Sequence, residues 1–369
     1  MKNKNLMLGL DIGSANLKYI ALDPNKKEVT HFGCVPLWSK RINLLKKTVA
    51  GVKHIIEIIK PEYVNIVSSF EIVEKKPIHI LEMFYETLLT EFDNTIFYTL
   101  TRDCNVIDIY NAQKRASDLI ASAVQGVAYI GTHIVDNGVL INMNSASTVV
   151  IPILKNRYQS ISGYKFSSGE ARWIGALYTP VETFTDSGVI NGHITKLAPY
   201  GAHTVDVFNI LDKSRLEEIL GLYGVNKTLY PQEDSLYKIF HSLAYYPKNI
   251  NKTSINQAKI FSLYIYHKLQ DIIREMILQI FSFLNLDPEE IPIITCGIGK
   301  DLILKNGLRN FNVHDISSYL SFPLWVYVEA FGSALALLEK IENKHINIAE
   351  VTINEESIKK NQGSGTVQF

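Results

Sequence analysis

In Leu8-Gly9-Leu10-Asp11-Ile12-Gly13-Ser14-Ala15-Asn16-Leu17-Lys18-Tyr19-Ile20, an apolar run that begins at Leu6 meets a turn of small and polar residues. β-Rich residues resume from Leu17 to Leu22, and Asp23-Pro24-Asn25 ends them. The pattern predicts a β-hairpin. Its turn puts a carboxylate at a strand end, beside small residues whose backbone N–H groups can approach a phosphate oxygen closely. Asp11 is therefore a candidate to hold Mg²⁺ through water, Lys18 a candidate to neutralise charge, and Gly13, Ser14 and Asn16 candidate phosphate contacts. An ordinary hairpin with an Asp at its turn would look the same.

Outward from the hairpin, apolar residues at helical spacing predict a helix over Leu44–Ile59, and Tyr63–Ser68 reads as the next strand. A helix at Met83–Phe92, a strand at Thr95–Leu100 and an alanine-rich helix over Ile107–Val127 follow. The order is that of a layered α/β domain. From Gly138 to Ile153 the chain again reads strand, small polar turn, strand. There Ser145, Ser147 and Thr148 supply hydroxyls suited to a phosphate, and Asn142 stands where a carboxylate would be useful. An amide can coordinate weakly through its carbonyl oxygen but can neither offset the charge of Mg²⁺ nor act as a base. Two such hairpins about one domain apart predict the α/β, two-domain actin-like, sugar-kinase and Hsp70 (ASKHA) fold. In that fold an interdomain cleft receives one phosphate chain from two hairpins.

Further along, Pro180 to Pro247 is less regular, with short helices expected at Leu211–Leu222 and Ser235–Ala244 and insertions expected to face the cleft. Ile255–Leu286 predicts a long helix, Ile291–Thr295 a strand, and Phe331–Glu339 a closing helix. The turn Cys296-Gly297-Ile298-Gly299-Lys300 could present N–H groups to an anion, although tight strand-to-helix packing accounts for its glycines equally well. The polar patches His203-Thr204-Val205-Asp206 and Gln232-Glu233-Asp234 suit solvated loops or helix caps. The expected domains are 1–135 with the first hairpin, 136–322 with the second hairpin and the insertions, 323–345 as a helix returning to the first, and 346–369 as a polar tail that is flexible over 361–369.

A chain of 369 residues exceeds the roughly 250 to 300 at which single cores stop growing, in keeping with two domains. Its 37 basic and 37 acidic side chains cancel, leaving no long-range field for nucleic acid or an anionic membrane, so small-molecule partners are expected. An oligomer is compatible with this. Cys34, Cys104 and Cys296 match neither a disulfide framework nor a metal spacing and read as buried thiols of a reducing cytosol. The N-terminal apolar run is broken at Asp11, unlike a signal peptide, and Ile255–Leu286 carries Lys268, Asp271, Arg274 and Glu275, unlike a membrane span. A cytoplasmic location is expected.

The order of short motifs also resembles a known family. The pieces are Leu10–Lys18, Pro36-Leu37-Trp38, Met143 with Ser145 and Thr148 through Ile151-Pro152-Ile153, and Gly169-Glu170 leading into Gly175–Val181. His203–Val207 with Ile210-Leu211, Tyr230-Pro231 with Asp234, and Gly297-Ile298-Gly299 continue the series. From Leu8 to about Leu338 the chain is similar to archaeal and methylotroph proteins that are hydantoinase/oxoprolinase-like and linked to tetrahydromethanopterin-dependent one-carbon transfer.

The resemblance implies a transferase of methanofuran-type cofactor biosynthesis. Such an enzyme joins an aminomethylfuran-methyl diphosphate to the phenol oxygen of γ-glutamyltyramine and releases diphosphate. It further implies Asp11 and Asp234 as Mg²⁺ ligands and catalytic groups, and Lys18 as stabiliser of the leaving group. Asn142, Ser145, Thr148, Gly297 and Gly299 would serve as phosphate contacts, with Glu170, Thr179, Thr204 and Asp206 on the substrate side.

The second hairpin departs from the family's Asp-Met-Gly-Ser-Thr-Thr-Thr-Asp: Asn142 replaces the first Asp, Asn144 the Gly and Val149 the last Asp. An Asn-Trp pair of the family aligns with Asp118-Leu119. The loss of two carboxylates raises a second expectation, a catalytically degenerate paralogue that binds a nucleotide, a phosphate ligand or a partner protein. Fold analogy alone supplies a third, an ATP-dependent kinase or ATPase.

Overall fold

The computed structural model describes residues 6–37, 44–163, 165–199, 201–223 and 230–356. Readings that fall on Trp38 and on the tail over 361–369 lie outside the described residues. In chain order the strands are β1 (Met7–Ile12), β2 (Asn16–Asp23), β3 (Glu28–Pro36), β4 (Tyr63–Ser68), β5 (Ile96–Leu100), β6 (Val106–Asp108), β7 (Asn137–Met143) and β8 (Thr148–Leu154). They continue with β9 (Arg157–Tyr158), β10 (Ala171–Arg172), β11 (Ser187–Ile190), β12 (His193–Lys196), β13 (Ile293–Cys296), β14 (Val313–Asp315) and β15 (Thr352–Ile353). The chain divides into two units. One takes the described residues up to Asp136, Ile153–Tyr158 and those from Ser321 onward; the other takes Asn137–Pro152 and Gln159–Leu320.

The first unit is built on a sheet of order β15-β3-β2-β1-β4-β5-β6. β1, β2 and β3 form an antiparallel meander, and β4 pairs parallel to β1 and β5 parallel to β4. Parallel pairing needs a crossover, and the helices Leu44–Ile59 and Pro77–Glu91 supply the two here. Every residue of β1 is buried, as expected of a central strand covered on both faces. Leu8, Leu10 and Ile12 pack with Val52, Ile55, Phe70, Phe84 and Leu88 in one core.

Three elements of this unit differ from the sequence reading. The helix expected over Ile107–Val127 is instead β6 followed by the helices Ile109–Gln113, Ala116–Leu119 and Ala123–Ile134. Two carboxylates set the breaks. Asp108 caps the first helix by accepting from the N–H of Tyr110 at 2.7 Å, and buried Glu71 accepts from the N–H of Ala121 at 2.7 Å, where the backbone turns left-handed at φ 59°. The polar segment from 346 onward is not tail throughout, because Thr352–Ile353 adds to the sheet edge parallel to β3. Cys296 is buried as expected, whereas Cys34 and Cys104 are half-buried free thiols.

The second unit carries a sheet of order β10-β8-β7-β13-β14. β10 runs antiparallel to β8, while β13 runs parallel to β7 and β14 parallel to β13. This repeats the meander-plus-parallel plan of β3-β2-β1-β4-β5. The two turns match as well: Gly13 N donates to Asn16 O at 2.9 Å, and Asn144 N donates to Ser147 O at 2.8 Å. Such an internal echo in two α/β units is the actin-like and sugar-kinase architecture, as the sequence predicts.

A second core gathers Phe240, Leu243, Ala258, Phe261 and Ile265. Its spine is the 33-residue helix Lys252–Leu284, opened by a capping box between Asn251 and Ser254 and closed by Asn285 at φ 52°. Among the described residues no helix is long and apolar enough to cross a membrane.

Candidate functional site

Glycine positions the charged groups of the first hairpin. A Cβ on Gly9 would lie 2.1 Å from the carbonyl oxygen of Ala330 and 2.5 Å from the nitrogen of Ala334, so the helix Val328–Glu342 rests directly on the backbone of β1. The helix Ala123–Ile134 is seated in the same way. A Cβ on Gly126 would lie 2.4 Å from the carbonyl oxygen of Glu329, and one on Gly332 would lie 1.9 Å from that of Gly126. Asn65 and Ser333 fix the register, each donating its side chain to the other's carbonyl at 2.8 Å.

This seating carries Glu329 into the hairpin. Asp11 on β1 pairs across the ladder with Lys18 on β2, whose Nζ lies 3.2 Å from Asp11 Oδ2 and 3.0 Å from Glu329 Oε2. All three side chains are buried. Burial raises the Asp11 carboxyl to about 7; Lys18 opposes that rise, and Glu329 and then Glu71 reinforce it. Burial also holds the carboxyl of Glu71 above its ordinary value. One ammonium thus serves two carboxylates, and Asp11 sits where gaining or losing a proton costs little at neutral pH. Among the described residues no donor reaches Asp11 Oδ1. Gly13, Ser14 and Asn16 form the half-buried turn above this cluster.

The second hairpin has the same backbone and none of this charge. Counted from the matching turns, Asn142 stands where Asp11 stands and Val149 where Lys18 stands, both buried. The equivalence extends to the neighbouring strand: Ile12 O accepts from Ser69 N at 2.8 Å, and Met143 O accepts from Gly299 N at 2.9 Å. Gly297, at φ 80°, and Gly299 are there for closeness, since a Cβ on the first would lie 2.5 Å from Asn142 Oδ1 and one on the second 2.2 Å from Met143 Sδ. Ser145 is half-buried, and its carbonyl accepts from Leu177 N and Tyr178 N at 2.9 Å each. Thr148 is buried and donates its hydroxyl to the carbonyl of Ile174 at 2.5 Å. Lys300, at the end of the glycine turn, is buried between Asp301 at 2.9 Å and Asp315 at 2.8 Å.

Elsewhere in the second unit, the carboxylate of Glu170 accepts from Ile161 N at 2.9 Å, Ser162 N at 3.1 Å and the Ser168 hydroxyl at 2.8 Å. Thr179 Oγ1 accepts from Gly175 N at 2.7 Å, and Thr204 Oγ1 accepts from Thr179 N at 3.3 Å. Asp206 is buried and joins three elements, accepting from His203 N at 2.9 Å, the Ser235 hydroxyl at 2.8 Å and Lys238 Nζ at 3.1 Å. Asp234 is exposed in the first turn of the helix Gln232–Ser242. Asp11 and Asp234 belong to different units.

Sequence reasoning missed Glu329 and Glu71. A signal for the first was present: Glu329 is the one charged residue in Val328-Glu329-Ala330-Phe331-Gly332-Ser333-Ala334-Leu335-Ala336, a run too apolar to be a solvated face.

No family model matches the chain. It is 24% identical over 350 residues to the (4-{4-[2-(gamma-L-glutamylamino)ethyl]phenoxymethyl}furan-2-yl)methanamine synthase of Methanocaldococcus jannaschii, covering 92% of this chain and 99% of that protein. Similar solved structures include component A of the (R)-2-hydroxyglutaryl-CoA dehydratase of Acidaminococcus fermentans, at 11% identity and TM-score 0.40 over 92% of this chain and 99% of that one. A ROK family glucokinase from Streptomyces griseus in complex with glucose and AMPPNP is 12% identical, at TM-score 0.40 over 89% of this chain and 98% of that one.

Proposed function

We propose that this chain is a transferase of methanofuran-type cofactor biosynthesis that joins an aminomethylfuran-methyl diphosphate to the phenol of γ-glutamyltyramine. The carrying observation is the end-to-end similarity to the M. jannaschii synthase, whose name describes an aryl ether between a phenol and a furan-bound methylene. In the reaction the bond from the methylene to the diphosphate oxygen breaks, with its electron pair leaving on diphosphate. A phenol-oxygen bond to the same carbon forms, and the phenol proton passes to a base.

The first hairpin suits this chemistry. Its half-buried turn at Gly13, Ser14 and Asn16 binds anionic oxygens. The cluster beneath it, two carboxylates on one lysine, holds an excess of negative charge that favours positive charge developing on the methylene. A hard cation fits the free side of Asp11, since Oδ1 is an oxygen donor with no hydrogen-bond donor on it among the described residues. Bound there, Mg²⁺ would neutralise a departing diphosphate. Lys18 keeps Asp11 in place and, with Glu329, sets its charge.

Purified protein given both substrates and Mg²⁺ is expected to release diphosphate, and Asp11→Asn is expected to abolish the release. No diphosphate, with the M. jannaschii enzyme active in parallel, defeats the proposal. A second reading has its own observation: Asn142 and Val149 make the second hairpin neutral where the first is charged. On that reading the chain is a binding paralogue, which diphosphate or a nucleotide stabilises against heat without turnover.

A further inference from the structure

The helices Ala123–Ile134 and Val328–Glu342 end beside each other, with His133 in the last turn of the first and Glu339 near the end of the second. His345 follows two residues after Asn343, whose left-handed backbone at φ 49° stops the second helix. We propose that His133, Glu339 and His345 form a binding site for a borderline divalent metal ion such as Zn²⁺. This site is independent of the transferase reading.

The ligand atoms of these side chains all lie within 4.8 Å of one another. His133 Nε2 is 3.1 Å and His345 Nδ1 is 3.0 Å from Glu339 Oε1. Around a tetrahedral ion with bonds of roughly 2.0 to 2.2 Å, ligand atoms stand ~3.3 to 3.6 Å apart, so each histidine nitrogen needs to draw away from Glu339 Oε1 by only a few tenths of an ångström.

Hydrogen bonding shows what the cluster lacks. His133 Nδ1 lies 2.8 Å from the carbonyl oxygen of Tyr129, which can only accept, so that nitrogen carries the proton. In neutral imidazole this turns the bare lone pair of Nε2 toward a carboxylate oxygen. A positive charge between them, a second proton or a metal ion, resolves the clash.

The surroundings favour the metal. A ligating histidine characteristically donates its other nitrogen to a carbonyl, and ligating carboxylates are themselves hydrogen-bonded. The first holds for His133 and the second for Glu339, since the Tyr129 hydroxyl donates to Glu339 Oε2 and Ile346 N donates to Oε1 at 2.5 Å. The C-terminal ends of two helices add partial negative charge. Two imidazoles and one carboxylate select zinc-like ions over Mg²⁺, which prefers all-oxygen sets. Three protein ligands leave a coordination position for water.

The test uses the full chain after chelator treatment, titrated with Zn²⁺ against a chromogenic chelator and separately with Co²⁺. One Zn²⁺ per chain is expected, with a Co²⁺ visible spectrum of four- or five-coordinate intensity. His345 is largely exposed, so His345→Ala should keep the wild-type circular dichroism while weakening Zn²⁺ at least tenfold and abolishing the Co²⁺ bands. A thousandfold excess of Mg²⁺ should not displace the Zn²⁺. If the wild-type chain binds Zn²⁺ no more tightly than His345→Ala, the cluster is an imidazolium–carboxylate ion pair; if Mg²⁺ competes at equal concentration, the ion sits on carboxylate oxygen alone; either result overturns the proposal.

Discussion

Replacing Asp11 by Asn should make the protein more stable, and increasingly so as pH rises. The Asp11 carboxyl is raised from an ordinary 3.8 to about 7 in the folded chain. The folded state therefore holds this proton more tightly than the unfolded state. The resulting stabilisation is fully present below pH 4 and is lost as pH rises through 7. A rise of that size is worth roughly 4 kcal/mol, of which about 2 to 3 kcal/mol is lost between pH 5 and pH 8.

Asn has the shape of the protonated carboxyl and does not titrate, and in the variant Lys18 keeps Glu329 at 3.0 Å. Urea unfolding of both proteins, followed by circular dichroism at half-unit steps from pH 5 to pH 8, reads the Asp11 cluster, because titrating groups that do not interact with Asp11 cancel in the difference. The variant should gain about 2 to 3 kcal/mol on the wild type across that range while losing diphosphate release. A difference flat to about 0.5 kcal/mol, the usual error of additivity, or one of opposite sign, refutes the reasoning that burial dominates at Asp11.

Three further outcomes are expected. Gly9→Ala forces a Cβ to within 2.1 Å of the Ala330 carbonyl and should cost at least ~3 kcal/mol in urea unfolding, whereas Gly192→Ala, at φ 77° with nothing within 4 Å, should cost only about 1 to 2 kcal/mol. Thr148→Val strips the buried Ile174 carbonyl of its hydroxyl donor and should cost about 1 to 3 kcal/mol by the same measurement. Glu170→Gln weakens the acceptor of Ile161 N and Ser162 N, so limited proteolysis should cut near those residues faster than in the wild type.

The fold was legible because its signals are local. The first hairpin, the helix Leu44–Ile59 and the strand Tyr63–Ser68 follow from apolar spacing and turn residues, and the second hairpin repeats the first. The broken helix after Ile107 was not legible, because the break depends on Glu71, a carboxylate 50 residues from the Ala121 N–H it accepts. At the charged cluster, Asp11 and Lys18 could be read from one hairpin, while Glu329 arrives from 311 residues away. No local pattern reports such a partner. In the other direction, Glu170 and Asp206 stand out as carboxylates in short motifs, yet the structure places each among hydrogen bonds that hold neighbouring loops and helices.

The separation of 311 residues from Lys18 to Glu329 also sets a clock. At roughly 5 to 20 residues per second of synthesis, the nascent chain waits about 15 to 60 s between making the lysine and making its second carboxylate. Through that interval β1 has no helix over Gly9, and Asp11 and Lys18 face each other without Glu329. The first unit, although it begins the chain, is thus the last to be finished, and a ribosome stalled before Val328 would present its central strand with one face uncovered to whatever chaperone or protease is at hand.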